Sequence, residues 1–326
     1  MNKNVGYAIA LALALAAPFY GYPVFLMKLL CFALFACAFN LLIGYTGLLS
    51  FGHAAFFGGA GYVTGYALRT WGWPTELGLL AGVVTGAFLG LVMGGLAIRR
   101  QGIYFTMITL ALAQMVYFLA LRLPFTGGED GLQGVPRGTL LGAIDLGNDT
   151  VLYYVVLAIF IAGFALIVRT IHSPFGQVLK AIKENEPRAI SLGYDVNKYK
   201  LTAIVLSASL AALAGATKTL VLGFETLTDV YWGMSGLVVL MTLVGGMGTL
   251  AGPIIGAVLI IALENKLGDL GTYLATHTGV EWFGTLGESV GIVTGIIFVI
   301  CVLMFRRGIV GEAIARFGGR AAKPAA

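Results

Sequence analysis

The chain has 326 residues, of which 59% are hydrophobic and 11% are charged, and its mean hydropathy is +0.92. A soluble globular domain carries about 25% charged residues, so this composition excludes a single water-soluble core and requires a surface facing lipid. The net charge of +5 does not call for nucleic acid, because the basic residues cluster between apolar runs, where they set orientation in a membrane.

A hydrocarbon core about 30 Å thick needs about 20 apolar residues of helix. Taken in order, the candidate spans are 5–22, 24–45, 46–68, 77–97, 103–121, 151–168 and 201–222, then two short pieces at 235–246 and 253–263, then 286–305. The opening stretch, Lys3 followed by an alanine–leucine run with Ala14-Leu15-Ala16, also has the form of a secretory signal. Retention as a first span is expected because the next begins almost at once. Small, frequent glycine fits close helix packing in lipid. Gly82, Gly86, Gly90 and Gly94 fall on one face of the fourth span, and Gly291 and Gly295 repeat the device in the last. This is packing rather than chemistry. Cys31, Cys37 and Cys301 have neither zinc-ligand nor disulfide-framework spacing and read as core residues. No metal site is expected.

Lysine and arginine mark the cytoplasmic side. Arg99-Arg100 follow the fourth span. Arg169, Lys180, Lys183, Arg188, Lys198 and Lys200 lie after the sixth, and Arg306, Arg307, Arg316, Arg320 and Lys323 fill the C-terminal tail. The 122–150 loop carries Glu129, Asp130, Asp145 and Asp149 against Arg122 and Arg137, and 264–288 is also mainly acidic. Ten crossings place every basic cluster inside, both acidic loops outside and both termini in the cytoplasm. The parity holds if 235–263 counts as two short passes or one re-entrant hairpin. The expected fold is an all-α polytopic membrane domain, residues 1–305, with a cytoplasmic tail at 306–326. Ten segments divide five and five, and an odd-numbered repeat must be inverted, an arrangement that puts the substrate path between the halves.

Three stretches carry more than topology. The run Asn40-Leu-Leu-Ile-Gly44-Tyr45-Thr-Gly47-Leu-Leu-Ser50-Phe-Gly52-His53 puts polar side chains and glycines at membrane depth. Irregular backbone survives there only where protein buries it or a water-filled cavity meets it, so Asn40, Gly44, Tyr45, Gly47, Ser50, Gly52 and His53 are candidates for the translocation path or its gate. For His53 alone, a hydrogen bond between helices is the better reading. Gly245, Gly246, Gly248 and Gly252, followed by Pro253, break the second apolar stretch and read as a hinge or half-helix junction. Their faint likeness to a dinucleotide fingerprint fails for want of a strand–turn–helix context. Within 169–200, Leu179, Ile182 and Ala189-Ile190 anchor a charged amphipathic piece that Pro187 can begin and Gly193 can end. Such a piece suits either docking on a soluble partner or a plain solvated loop.

Together these stretches resemble the permease subunits of branched-chain amino-acid ABC importers, of the LivM type. The matching segments are 44–61 (GYTGLLSFGHAAFFGGAG), 126–136 (TGGEDGLQGVP), 175–200 (FGQVLKAIKENEPRAISLGYDVNKYK) and 231–263, which contains LVGGMGTLAGPIIGA. The resemblance implies a complex with a homologous permease of the LivH type, two cytoplasmic ABC ATPases and a periplasmic substrate-binding protein. ATP and magnesium would sit on the ATPases, with no cofactor on this chain, which has no Gly-x-x-x-x-Gly-Lys-Ser/Thr loop. It also implies a cytoplasmic coupling helix of the degenerate form Glu-Ala-Ala-x-x-x-Gly. The aligned residues here are Pro187, Arg188, Ala189 and Gly193, with Glu186 one place early. Lys180, Lys183, Glu184 and Asn185 complete the expected contact with the ATPase. Family members often have an acidic residue after Ser235-Gly236, where this chain has Leu237. The implied activity is import of branched-chain or similar amino acids by alternating access, with urea, short amides or aromatic acids as the other substrates of such importers. An ion-coupled secondary carrier would need carboxylates or histidines within spans, whereas Glu225, Asp229 and Glu264 fall at predicted ends. An enzyme is not expected, since His53, His172 and His277 are scattered.

Overall fold

The computed structural model describes residues 12–278 and 308–317, together with residues 292, 293, 295, 296 and 299. These residues are helical apart from turns and one two-residue hairpin, β1 (Thr139–Leu140) against β2 (Ile144–Asp145). The chain runs through α1 (Pro23–Thr46), α2 (His53–Arg69), α3 (Thr75–Ala97), α4 (Ile103–Arg122), α5 (Asp149–His172), α6 (Pro174–Glu184), α7 (Glu186–Ser191) and α8 (Val196–Leu222). It continues through α9 (Leu227–Val230), α10 (Trp232–Gly245), α11 (Gly252–Thr278) and α12 (Gly308–Phe317). Five of the described helices, α1, α3, α4, α5 and α8, are long and apolar enough to cross a membrane.

Local sequence explains where these helices start and stop. Pro23 opens α1, where its missing N–H leaves no bond unmade, and Gly47 closes it in the left-handed conformation at φ 76°. Asn148, Ser173, Asn185 and Asp195 cap α5, α6, α7 and α8, each accepting from a backbone N–H of the first turn. Lys198 beside Asp195 holds that carboxyl below its ordinary range.

Helices α1 and α8 form the centre, with 78% of their apolar windows enclosed, against 39%, 22% and 33% for α3, α4 and α5. The glycine face of α3 lies on an alanine face of α8. An added Cβ at Gly86 would lie 2.1 Å from Ala212 Cβ, and one at Gly90 2.6 Å from Ala208 Cβ. Backbones this close gain dispersion that bulkier residues would forfeit. One turn further along α8, a Cβ on Gly215 would lie 2.0 Å from the carbonyl oxygen of Phe57 on α2. Phe32, Phe35 and Phe57 stack beside this contact.

Two expectations change. The span 46–68 begins only at His53, because residues 47–52 leave the helix. The short piece 253–263 is the start of a 27-residue helix, α11, so residues 264–278 are helical rather than loop. Leucines at 267, 270 and 274 recur at helical spacing there, and that periodicity outweighs the acidic count. The 122–150 loop folds back onto the helices. Leu132 bridges to Glu225, and Arg137 pairs with Asp149 at 2.5 Å and donates to Val221 O at 3.1 Å. Of the span 5–22, residues 12–16 are helical and Ala17–Phe19 form a 3-10 turn. Residues 5–11 of that span, most of 286–305, Gly291 and Cys301 lie outside the described residues.

Candidate translocation junction and coupling segment

The two glycine-rich breaks meet α1 at different depths, and Asn40 makes the first contact. Its side chain is 3% exposed. Its Nδ2 donates to Thr249 O at 2.9 Å, and its Oδ1 accepts from Gly248 N at 2.8 Å. One buried amide thereby satisfies an N–H and a C=O of the turn between α10 and α11, where neither has a helical partner. Thr249 closes the turn from within, donating to Gly246 O at 2.7 Å and accepting from Gly252 N at 3.0 Å. Gly44 faces this turn so closely that a Cβ there would fall 2.4 Å from Asn40 Oδ1 and 2.9 Å from Gly248 N. Gly248, at φ 78°, sits in the left-handed region that glycine tolerates. Beyond the turn, α10 and α11 fold back on one another. A Cβ on Gly245 would lie 1.9 Å from Gly252 O, and one on Gly256 1.8 Å from Met241 O.

The second break, 47–52, is satisfied by hydroxyls. Ser50 Oγ accepts from Gly52 N at 3.1 Å, Thr106 Oγ1 donates to Leu49 O at 2.9 Å, and Thr109 Oγ1 accepts from Phe51 N at 3.2 Å. Ser235 on α10 both donates to Phe51 O at 2.8 Å and accepts from Ala54 N at 2.9 Å. Gly52 lies under the Met93 methyl. His53 is fully enclosed, and its Nε2 meets Ser207 Oγ at 2.9 Å. Ser207 donates to Ala38 O at 2.5 Å, so its oxygen accepts from the imidazole. His53 therefore ties α2 to α8 and packs edge-on against Phe39 and Phe56. A groove of about 210 Å³ opens between 47–49 and 102–106.

Helices α6 and α7 divide the expected coupling residues into an inward and an outward set. Lys183 Nζ donates to Gly44 O at 2.7 Å, and its stem covers Gly47. Lys180 Nζ stands 5.8 Å above the Tyr45 ring. Both cations therefore sit at the C-terminal end of α1, where free carbonyls favour positive charge. Glu186 pairs with Lys200 at 2.6 Å, Asn185 caps α7 by accepting from Arg188 N at 3.0 Å, and Ala189 is buried. Glu184, Pro187 and Arg188 are exposed. So are Ile190, Leu192 and Tyr194, and Gly193 turns the chain at φ 87°.

A family profile described as branched-chain amino acid transport system / permease component matches residues 23–302. The chain belongs to that family. Among curated proteins it is 28% identical over 262 residues to a high-affinity branched-chain amino acid transport permease, LivM, of Escherichia coli K12. That match covers 72% of this chain and 60% of the relative, so the chain spans about three-fifths of that protein's length. It is 32% identical to an autoinducer 2 import permease, LsrC, of Klebsiella pneumoniae, over 57% of this chain and 53% of that protein. It is also 32% identical to a ribose import permease, RbsC, of Bacillus subtilis, over 60% and 58% of the two chains.

In this member of the family, the structure brings Asn40, Gly44, Gly246, Gly248, Gly252 and Lys183 to one place, while Ser50, Gly52 and His53 form a separate cluster through Ser235 and Ser207. Sequence reasoning missed one further constellation. Lys218, inside the span 201–222, meets Glu225 at 3.3 Å and pairs with Asp229, and all three are buried. A lysine within an apolar run is itself the signal that a carboxylate partner must fold back onto it.

Proposed function

We propose that this chain is the membrane-spanning permease subunit of an ATP-driven importer, in which movement at the α6–α7 segment is delivered to the turn between α10 and α11. The observation that carries this reading is the Lys183–Gly44 hydrogen bond. It joins the segment expected to meet an ATPase to the stretch of α1 that Gly248 presses upon and Asn40 clamps. Several polar groups of both breaks are hydrogen-bonded within the chain, which supports reading this arrangement as a closed one. Opening a path then requires exchanging those bonds for bonds to water or substrate.

In this scheme the 169–200 segment and both termini are cytoplasmic, and the 123–148 loop faces the other side. Ile190, Leu192 and Tyr194, with Arg188 beside them, form the apolar tip that enters a groove on an ABC ATPase. A homologous permease covers part of the exposed outer helices, and a periplasmic protein delivers substrate. At 14 residues α10 is about 21 Å long, short of the bilayer core, so α10 and α11 act as one hairpin within the ten-segment inverted scheme. Branched-chain amino acids are the proposed substrates. Because relatives include permeases named for autoinducer 2 and ribose, competition decides the class.

The test is uptake by proteoliposomes carrying the whole complex, with leucine, ribose, urea and an aromatic acid as competitors. ATP-dependent leucine uptake, lost in Leu192→Asp with insertion intact, is expected. Uptake that persists without ATP or the ATPases would overturn the importer reading, and competition by ribose alone would reassign the substrate.

A further inference from the structure

The Lys218, Glu225 and Asp229 side chains meet where α8 ends and α9 begins, against the face of α2. Glu225 lies in the turn past the end of α8. Its Oε2 accepts from Lys218 Nζ at 3.3 Å and from Thr219 Oγ1 at 2.5 Å. Asp229 Oδ2 pairs with Lys218 and accepts from Thr226 N at 3.2 Å and Thr226 Oγ1 at 2.7 Å. The three charged side chains are 4%, 0% and 7% exposed. With both carboxylates ionised, one cation faces two anions in a site that water does not reach, and a buried surplus charge is strongly disfavoured unless it is neutralised.

Two polar atoms here make no hydrogen bond, Glu225 Oε1 and Tyr62 Oη, and both are fully enclosed. Tyr62 is on α2, within electrostatic reach of both carboxylates. A hydrated ion does not fit beside them. A Cβ on the neighbouring Gly61 would lie 2.5 Å from Glu225 Cδ and 2.6 Å from Thr219 Oγ1, so the backbone of α2 already presses on the carboxyl. The titratable groups around the site are Lys218 on α8, Asp229 on α9 and Tyr62 on α2. Tyr117 on α4 adds to the field at Tyr62, and Cys31 on α1 feels Lys218.

We propose that Glu225 is a proton-binding site: one exchangeable proton resides on the otherwise unbonded Oε1 and makes the cluster electrically neutral. The proton comes from and returns to water, with no other atom exchanged. Burial pushes the Glu225 carboxyl up to about 8, Lys218 opposing this and Asp229 adding to it. Glu225 also pairs its backbone with Leu132, by bonds of 2.8 and 2.9 Å. Loss of the proton therefore leaves a net negative charge at the anchorage of the 123–148 loop. Nothing in this inference depends on the substrate or on an ATPase.

Infrared difference spectroscopy of the full chain in lipid, stepped from about pH 5 to about pH 9, reads the proton directly. The expected result is a protonated-carboxyl band that fades as pH rises. It should be absent in Glu225→Gln and unchanged in Glu264→Gln. Asp229→Asn keeps the carboxyl but removes the second anion, so the band should fade at a lower pH even if Glu225→Gln does not accumulate. A band that survives Glu225→Gln, a band that fades at an unchanged pH in Asp229→Asn, or no protonated-carboxyl band across the range would each overturn the assignment. The last outcome would mean an ionised Glu225 whose free oxygen is met by water.

Discussion

Asn40 does with one amide what a helix end does with several capping groups. It supplies both a donor and an acceptor to a turn at membrane depth. Asn40→Ala leaves an N–H and a C=O without partners, each costing about 1–3 kcal/mol when buried. The expected outcome is a clear fall in the melting temperature of the purified protein, larger than for Ser191→Ala, whose hydroxyl bonds only within exposed α7. Glu225 gives a prediction with a sign. Its folded-state pKa lies above the ordinary 4.5, near 8. Its contribution to stability is therefore complete at low pH and is lost as pH rises towards about 8. Melting curves at intervals between about pH 5 and about pH 8 should fall more steeply for the native chain than for Glu225→Gln. The importance of Asn40 was legible in the sequence, since an asparagine in an apolar run demands a partner. That the partner lies some two hundred residues away was not, because hydrogen bonds across helices leave no trace in local pattern. Lys218 went unread, although the same rule applies to a lysine in an apolar run. The acidic residues were placed at span ends, however, and span ends look exposed until a loop such as 123–148 folds over them.

At the scale of elements, the stripe of glycines on α3 was readable directly from spacing, and the structure supplies its counterpart. Ala208 and Ala212 on α8 lie opposite Gly90 and Gly86. Gly86→Leu should drive the two helices apart at an overpacking cost of about 1–3 kcal/mol or more. By contrast, Gly95, one place off the stripe, has open space where a Cβ would go. Gly95→Ala is therefore expected to be neutral or to stabilise by up to about 1 kcal/mol through helix propensity. Comparing the melting temperatures of the two variants in detergent checks the pair. The extents of α2 and α11 were less legible. Hydropathy windows cannot see that hydroxyls from α4 and α10 hold residues 47–52 out of the helix, nor that α11 continues past its charged residues.

At the scale of the whole molecule, the charge asymmetry between the 169–200 segment and the 123–148 loop predicts opposite exposure across the bilayer. In a chain with its native cysteines replaced, Leu192→Cys and Gln133→Cys, both at exposed positions, should react with an impermeant thiol reagent from opposite faces of oriented vesicles. Leu192→Cys should react on the cytoplasmic face. Labelling of both from one face would remove the proposed topology. A substitution that separates docking from transmission is also available. Lys183→Met keeps the stem over Gly47 but loses the bond to Gly44. It should leave association with ATPases intact while lowering the uptake achieved per ATP hydrolysed, measured on the same proteoliposomes.

The near contact of α3 and α8 backbones has a mechanical corollary. Where a methyl-sized gap is missing at successive turns, neither helix can slide or roll against the other without steric collision. The pair therefore behaves as a single girder. Flexing of the described chain is then left to its non-helical residues, among them 47–52 and 246–251.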